Sequence, residues 1–369
     1  MSEKEALLIL NATPNLSNKR LLQLLEHFGS ATCILQQTRN QLQATGFLTE
    51  NAVLKVLAFD RAKFIEEENV LIAKYGVDII TIFDQQYPQQ LKEIVDAPVV
   101  LYVKGELPHK FEFGYSIVGS RRASLYGQSV AEKFAYQLAL CHLPVISGLA
   151  AGIDAAAHRG ALKAHGVTVG VLGCGLSQVY PRENAYLYEK IAQTGAIISE
   201  FPMCMPPVSY NFPRRNRIVS GLSKGVIVVE AAKRSGALIT VDFALEQGRE
   251  VFAVPGKIDN PVSIGVNGLI KQGAQIVTAI EDVIKNAQDL MKQELKAINK
   301  DDRDHNQNIS KSLTDDEKTV YNQITENPVH IDKVLATCAE NNVRYAPAIL
   351  LKLELKHLIT QLPGKLYRK

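Results

Sequence analysis

The residues best suited to bind an anion lie in segment 116–124, where a short apolar run leads into Gly119, Ser120, Arg121 and Arg122. An amphipathic segment follows, so the pattern predicts a strand, a tight turn and the N-terminus of a helix. Unpaired backbone N–H groups and the helix dipole favour an anion there. The segment lacks the G-x-x-x-x-G-K-[ST] run of nucleotide-hydrolysing P-loops and the G-x-G-x-x-G of dinucleotide folds. We therefore predict a site that holds phosphate and is not built to cleave it.

A second basic cluster occupies residues 211–218, where three arginines and two amides surround a Phe-Pro step. Its candidate phosphate ligands are Arg214, Arg215, Asn216 and Arg217. Arginine binds phosphate through two parallel hydrogen bonds, and phenylalanine can stack on a base. The alternative is that the arginines pair with carboxylates such as Glu200 and Glu230. We expect at least one of them to serve the structure in that way.

Further candidate contacts lie at the ends of other apolar runs. Arg182 stands beside an aromatic residue in the stretch 180–184. Small residues are frequent at the ends of the apolar runs, at 119–121, 147–152, 173–175, 230–231 and 255–256. They allow the backbone to approach a ligand closely, although packing alone is the alternative explanation for some of them.

Three residues suggest an enzyme instead. Asp154 and His158 are four residues apart on one predicted helix face, and Glu230 ends a central strand. A hydrolase could use them as acid, base or metal ligand. The alternative is that the aspartate caps its helix and the histidine packs inside, and a metal site would lack a third ligand at a recognisable spacing. We expect no catalytic residue, no metal and no cofactor.

The elements that would position these residues form a Rossmann-like domain over residues 113–285. Apolar, strand-like runs are predicted at 116–118, 145–147, 167–172, 196–199, 225–229, 250–254 and 275–277. Helical stretches, such as 127–140, 154–165 and 239–247, lie between most of them. Strands of continuous Val and Ile that alternate with helices indicate a doubly wound, mostly parallel α/β sheet covered on both faces.

Four further regions flank this domain. Residues 1–75 read as short helices, which is typical of SAM-like or helix–hairpin–helix modules but equally of a small helical packing domain. Residues 76–112 are expected to be a connector with two short apolar runs. Residues 286–311 are polar and charged and predict a linker. Residues 312–369 predict three helices and a hairpin, the pattern of a winged helix.

The presumed third helix of that winged helix is unsuited to reading DNA sequence. Residues 347–355 are nearly all apolar, with Lys352 as the only basic residue. A helix that reads a major groove needs exposed Arg, Lys, Asn or Gln. We expect a protein contact or an autonomous packing module.

Composition limits the classes that remain. With 369 residues and a net charge of +3, the chain is no polycation, so nucleic-acid binding requires basic residues concentrated on one face. No apolar run is long enough for a membrane span, and the acidic start is no signal peptide. Five scattered cysteines without a C-x-x-C pair favour free thiols in a reducing cytoplasm over a zinc site.

Together, the motifs resemble those of the DNA-processing protein A family (DprA, also called Smf). The stretches that carry the resemblance are 117–121, 147–158, 212–218, 230–231, 235–240 and 254–256. The resemblance covers nearly the whole chain and is most specific in the Rossmann-like domain. It implies a cytoplasmic bacterial protein of natural transformation that binds and protects incoming single-stranded DNA and helps load the RecA recombinase on it. It also implies a homodimer formed through the Rossmann-like domain, with no known enzymatic activity.

The resemblance assigns roles to particular residues. The phosphate-binding arginine of the family corresponds to Arg121, and the basic position of its Tyr-Pro-basic stretch to Arg182. The surface for dimerisation and RecA contact is implied near Leu245, Leu269, Ile270 and Lys271. We expect a non-catalytic binder of single-stranded DNA that grips successive phosphates with arginines, helped by the N–H groups of Gly119 and Ser120. Its affinity should fall steeply with salt and show little sequence preference.

Two alternatives from other classes stay open at this point. A nucleotide or phosphoribosyl hydrolase on a related fold would use Asp154, His158 and Glu230. A pure adaptor would bind only proteins.

Overall fold

The computed structural model describes most of the chain. The described residues are 1–108, 111–284, 314–325, 328–340, 346–355, 358–362 and 364–368. The chain divides into two units, Met1–Thr278 and Ala279–Lys369, and each is described by itself. The predicted linker, 286–311, lies outside the described residues. In the described part of the chain, no helix has the length and apolar character needed to cross a bilayer.

Six helices form the N-terminal part, which confirms the predicted helical domain. They are α1 (Glu3–Ala12), α2 (Asn18–Phe28), α3 (Ala31–Gln36), α4 (Arg39–Ala44), α5 (Glu50–Leu57) and α6 (Arg61–Tyr75). Each begins after a Ser, Thr or Asp whose side-chain oxygen accepts a hydrogen bond from a backbone N–H of the first turn. Leu7, Leu21, Leu24 and Leu42 are buried in their shared core.

A nine-stranded sheet forms the centre of the first unit. Its strands are β1 (Asp78–Thr81), β2 (Val100–Gly105), β3 (Tyr115–Val118), β4 (Val145–Ser147), β5 (Thr168–Val171), β6 (Ala196–Ser199), β7 (Gly225–Val228), β8 (Glu250–Ala253) and β9 (Gln275–Ile276). Their order is β1-β2-β6-β5-β4-β3-β7-β8-β9. All neighbours from β6 to β9 are parallel, whereas β2 is antiparallel to both β1 and β6. The predicted doubly wound, mostly parallel sheet is therefore confirmed.

Helices alternate with these strands and cover the sheet. They are α7 (Gln89–Lys92), α8 (Leu125–Leu140), α9 (Ile153–Lys163), α10 (Ala185–Thr194), α11 (Asn211–Gly221), α12 (Gly236–Glu246) and α13 (Ile264–Lys271). Every residue of β3 to β7 is buried, as expected for strands with both faces covered. The chain runs outward from β3 to β6 and then returns to β7 on the other side of β3. Such a reversal leaves a crevice at the carboxyl ends of the strands.

The segment expected to be a connector, 76–112, supplies β1 and β2 to this sheet. Backbone pairing of Tyr102 with Ser199 joins it to β6. The helical domain is fixed to β2, because Glu68 of α6 accepts a hydrogen bond from the Tyr102 hydroxyl (2.6 Å). The same carboxylate accepts the N–H of Met203 (2.9 Å), which follows β6. Burial raises the pKa of Glu68, although both hydrogen bonds oppose the rise. These segments and the sheet thus share one unit, and the domain boundaries at 75 and 112 stay predictions.

The second unit contains the predicted winged helix. Its elements are α14 (Asp315–Asn322), β10 (Val329–His330), α15 (Ile331–Glu340), α16 (Ala346–Leu355), β11 (Thr360–Leu362) and β12 (Leu366–Arg368). The strands form an antiparallel sheet in the order β10-β12-β11. Val320, Leu350, Leu353 and Tyr367 pack in its core.

His158 is a neutral histidine in the core between α9 and β5. The Thr168 hydroxyl donates to the carbonyl oxygen of Val145 (2.7 Å), so it accepts a hydrogen bond from His158 Nδ1–H (2.8 Å). The side chain is fully buried. Burial, helped by the charge of Arg215, lowers the pKa of His158 to about 3.

Acid should therefore destabilise the protein through His158. The unfolded histidine binds a proton below about pH 6.5 and the folded one only near pH 3, so stability is complete above the first value and is lost as pH falls towards the second. With His158→Asn, we expect the loss of unfolding free energy between about pH 6 and pH 4 to shrink by about 2–3 kcal/mol. Urea titrations at each pH measure it. His165→Asn, at an exposed position, should keep the wild-type pH dependence; an unchanged profile in His158→Asn would contradict the assignment.

Candidate nucleic-acid interface

A cavity of about 720 Å³ lies at the carboxyl edge of the sheet, where the strand order reverses beside β3. Its walls come from the loops after β3, β4 and β7 and from the first turns of α11 and α12. They include Gly119, Ser120, Arg121, Arg122, Phe212, Arg215, Asn216, Ser235 and Gly236. The structure thus brings the predicted turn after β3 together with part of the predicted cluster on α11.

Two backbone N–H groups in the turn after β3 already have partners inside the protein. The Ser120 N–H donates to the carbonyl oxygen of Glu230 (2.7 Å), and the Arg122 N–H donates to Ser120 Oγ (3.1 Å). The side chains of Arg121 and Arg122 are exposed. The expectation that the Ser120 N–H helps to hold a phosphate is therefore wrong, whereas that for the Gly119 N–H stays a prediction. The exposed side chains of Arg121 and Arg122 are the other candidate anion ligands of this turn.

A carboxylate of the protein itself occupies the N-terminus of α8. Glu230 accepts hydrogen bonds from the N–H (2.9 Å) and the hydroxyl (2.6 Å) of Ser124, whose Oγ accepts the Gly127 N–H (3.0 Å). The helix dipole stabilises a negative charge there. The anion predicted at this helix terminus is thus Glu230 and not a ligand. Glu230 also does not pair with the α11 arginines, which was the alternative for that cluster.

The loop after β4 is fixed by side chains from two other elements. Asn184 donates to the carbonyl oxygen of Leu149 (2.9 Å), a residue in the left-handed region at φ 53°. Asp154 accepts two backbone N–H groups of the loop (3.1 and 3.4 Å). Gly152, at φ 80°, packs so closely on the Ser120 carbonyl that a Cβ has no room. The loops after β3 and β4 therefore hold one another in place.

Arg215 lies buried beneath this loop. Its Nη1 donates to the carbonyl oxygens of Gly148 (2.6 Å) and Val171, at the ends of β4 and β5, and its Nε donates to Asn216 Oδ1 (3.2 Å). Burial lowers the pKa of Arg215 to about 10, which the nearby Asp154 carboxylate opposes, so the guanidinium stays charged at neutral pH. Contrary to its prediction as a phosphate contact, Arg215 holds strand ends together.

Arg217 and Glu200 form a buried ion pair. The two guanidinium–carboxylate bonds measure 2.6 and 2.8 Å, and Nε lies 3.2 Å from a carboxylate oxygen of Asp96. Burial alone would raise the pKa of Glu200, but Arg217 and Arg214 hold it below its ordinary value. Only 4% of the Arg217 side chain is exposed, so its prediction as a phosphate contact is wrong and the pairing with Glu200 is confirmed. Arg214 touches the same carboxylate (3.1 Å) but is 38% exposed and remains a candidate.

Two aromatic rings lie beside the guanidinium of Arg121. The Arg121 guanidinium lies 5.0 Å from the centre of the Phe212 ring, and the rings of Phe212 and Tyr180 are 5.3 Å apart. These three side chains line a smaller cavity of about 220 Å³, and Arg182 is exposed two residues after Tyr180. Cation–π contact orients the guanidinium, and exposed aromatic surface is a platform on which a base can stack.

The sequence analysis missed three exposed basic residues at the same edge. Lys233 and Arg234 follow β7, and Lys257 follows β8. In the order of the strands across the sheet, the exposed or half-exposed cations are Arg214 after β6, Arg182 after β5, Arg121 and Arg122 after β3, Lys233 and Arg234 after β7, and Lys257 after β8. With neighbouring strands about 4.8 Å apart, the strands from β6 to β8 that precede these residues span roughly 24 Å. Lys233, Arg234 and Lys257 come shortly after the ends of predicted strands, and this position was the signal in the sequence that could have identified them.

The residues of the hydrolase alternative have partners inside the protein. Asp154 holds the loop after β4, Glu230 caps α8, and His158 is fully buried against Thr168. These three residues therefore lend no support to an acid–base site.

The residues predicted for dimerisation and RecA contact divide into two kinds. Leu245 is 62% exposed and Lys271 is exposed, with Ile270 half-buried. Leu269, on the inner side of α13, is buried in the core, so its prediction as a surface residue is wrong. The other three stay predictions.

In α16, the third helix of the winged helix, the predicted single basic residue pairs with a carboxylate of the protein. Lys352 Nζ lies 2.6 Å from a carboxylate oxygen of Glu317, and 17% of the lysine side chain is exposed. This pairing agrees with the expectation that α16 does not read DNA sequence.

Comparisons with known proteins agree with this geometry. Residues 78–288 match the family described as DNA recombination-mediator protein A, and 307–365 match the DprA winged helix domain. Protein Smf of Escherichia coli K12 is 48% identical over 248 residues, which are 67% of this chain and 66% of that protein. The X-ray structure of DNA processing protein A from Streptococcus pneumoniae has a TM-score of 0.65 and 35% identity, covering 77% of this chain and 98% of that one. A Helicobacter pylori structure, titled for the single-stranded DNA binding mode of DNA processing protein A, has a TM-score of 0.52 and 28% identity, covering 59% and 97%.

A substitution of Gly148 tests whether Arg215 is buried beneath the loop after β4. A Cβ on Gly148 would lie 2.7 Å from both Arg215 Nη2 and Asp154 Oδ2. We expect Gly148→Ala to lower the free energy of unfolding by about 2 kcal/mol, because the guanidinium must leave its carbonyl partners. Gly236→Ala is the matched control, since this wall of the same cavity has nothing within 4 Å of an added Cβ. It should change the value by less than about 0.5 kcal/mol in urea titrations. Equal free energies of unfolding for Gly148→Ala and Gly236→Ala would contradict the buried position of Arg215.

Proposed function

The chain belongs to the DNA recombination-mediator protein A family, and we propose that it binds single-stranded DNA along the carboxyl edge of its sheet without strong sequence preference. The observation that carries the proposal is the set of exposed or half-exposed cations in the segments that follow neighbouring strands of the sheet. The H. pylori relative, DNA processing protein A, which is described by its single-stranded DNA binding mode, supports the same ligand here.

Arg121 and Arg182 are the proposed principal phosphate contacts. The Arg121 guanidinium lies over the Phe212 ring, and its N–H groups are the proposed donors to a phosphate. A neighbouring base can stack on exposed Tyr180. Contacts to phosphates and to ring faces are open to any base, which accounts for the low sequence preference. Because each phosphate contact releases counterions, affinity falls steeply with salt.

We further propose that the chain protects the bound strand and helps load the RecA recombinase on it during natural transformation. It does so in the cytoplasm, as a homodimer formed through the Rossmann-like domain, and without catalysis. Membership of the family supports these roles. The exposed Leu245 and Lys271 and the half-buried Ile270 are the proposed dimer and RecA surface.

Removing one exposed charge at a time tests the strand-binding proposal. We expect Arg121→Gln and Arg182→Gln each to weaken binding to an oligo-dT strand by about tenfold at low salt, because each deletes a charged hydrogen bond. Each should also reduce the slope of log affinity against log salt by about 0.7, the value for one phosphate on a single strand. Filter binding or fluorescence anisotropy across a salt series measures both quantities.

Arg39→Gln is the matched control. This exposed arginine belongs to the N-terminal helical domain and pairs with Glu50, so its loss should leave affinity and slope unchanged. Wild-type affinity in folded Arg121→Gln and Arg182→Gln would refute the strand-binding proposal. Release of free base from nucleoside monophosphates would support the hydrolase instead.

A further inference from the structure

A buried cluster of charges links α11 to the N-terminal helical domain. Glu200, just after β6, lies at its centre and accepts hydrogen bonds from Arg217 on both carboxylate oxygens (2.6 and 2.8 Å). Its Oε2 also accepts one from Arg214 Nη2 (3.1 Å) and one from Asn18 Nδ2 (2.8 Å). Four N–H groups from three side chains therefore determine the orientation of this carboxylate.

Asn18 is the member of the cluster that comes from the N-terminal domain. It is the first residue of α2 and is buried, and its Oδ1 accepts the N–H of Val99 (3.2 Å). That bond directs its Nδ2 to the central carboxylate. The next residue, Lys19, donates its N–H to Asp96 (2.7 Å), the second carboxylate of the cluster. The first turn of α2 thus contacts both carboxylates, where the helix dipole favours negative charge.

Arg214 is the member that reaches the surface. Arg217 contacts both carboxylates of the cluster, Glu200 and Asp96, and Arg214 supplies a second positive charge beside Glu200. The Arg214 guanidinium packs over the ring of Phe201 (5.4 Å) and makes one side-chain hydrogen bond, to Glu200, among the described residues. A guanidinium has five N–H donors, so several remain for a phosphate.

We propose that Asn18 is a positioning residue for a phosphate contact at Arg214, so that the N-terminal helical domain helps set the affinity for single-stranded DNA. The inference rests on the proposed function. Asn18 is buried, and its effect must therefore pass through Glu200. Without the Asn18 N–H, the Glu200 carboxylate and the exposed Arg214 that bonds its Oε2 gain other orientations. Ordering them again on binding then weakens the affinity.

The test is a double-mutant cycle in the full chain, with oligo-dT as the probe. Arg214→Gln should weaken binding by about tenfold and lower the salt slope by about 0.7. Asn18→Ala should weaken it by about threefold and lower the slope in the same direction. In the Arg214→Gln background, Asn18→Ala should have no further effect on either quantity, because the two residues act through one contact.

Asn11→Ala is the matched control for Asn18→Ala. Asn11 lies in the same domain and donates to Glu200, but to its backbone carbonyl oxygen (2.9 Å) and not to its carboxylate. Its loss should leave affinity and salt slope unchanged. If Asn18→Ala does not fold, Asn18→Ser replaces it, since serine suits a first helical turn and is too short to reach Glu200. Urea titrations verify that each variant is folded in the assay.

Two results would overturn the inference. One is wild-type DNA affinity in the folded Asn18 variant. The other is an Asn18 effect that persists undiminished in the Arg214→Gln background, which would indicate a general loss of structure. The Arg121→Gln variant distinguishes failure of this inference from failure of the proposed function. If Arg121→Gln weakens binding while the Arg214 and Asn18 variants do not, only the present inference fails. If none of them weakens binding, strand binding at this edge fails as well.

Discussion

Two buried guanidinium groups fix α11, and the edge of the sheet is built around them. Arg215 and Arg217 are two positions apart and thus point to opposite sides of the helix, since each residue turns the helix by about 100°. One donates to the carbonyl ends of β4 and β5, and the other enters the carboxylate pair of Glu200 and Asp96. A buried charge is costly unless its donors are satisfied, so each arginine requires its partners to stay in place. Strand ends, helix and N-terminal domain are therefore one rigid assembly.

This rigidity explains why the exposed cations can act as a group. Arg121 and Arg182 lie on loops, yet the loops after β3 and β4 are held by Asn184 and Asp154, and Phe212 on α11 supports the Arg121 guanidinium. Side chains that are ordered before binding lose less entropy when a strand arrives. The arginine-rich segment of α11 thus contributes mostly to the frame, and the proposed binding charges Arg121 and Arg182 lie on neighbouring loops.

The elements could be predicted from the sequence, because strand and helix periodicities are local properties. The parallel sheet, the helical domain and the winged helix all followed from runs of a few residues. The role of Arg215 could not, because its partners are distant in sequence: Gly148 lies 67 residues away and Val171 lies 44. The pairing of Arg217 with Glu200 spans only 17 residues and was among the alternatives. The partner of Glu230 was not foreseen, because Ser124 lies 106 residues away. The positions of β1 and β2 were missed for the same reason, since short apolar runs do not reveal which strand they pair with.

The capped N-terminus of α8 has a consequence for how a strand is held. A helix terminus with free N–H groups would fix one phosphate at one point, as nucleotide-binding turns do. Glu230 fills that position here, and its negative charge also repels a phosphate from it. In the proposed function, phosphate binding is therefore left to charged groups at the ends of long side chains. These can follow a backbone of variable geometry, and their contacts exchange readily with salt. A polymer that is bound along its length and later passed to another protein suits such side chains better than a rigid backbone cradle.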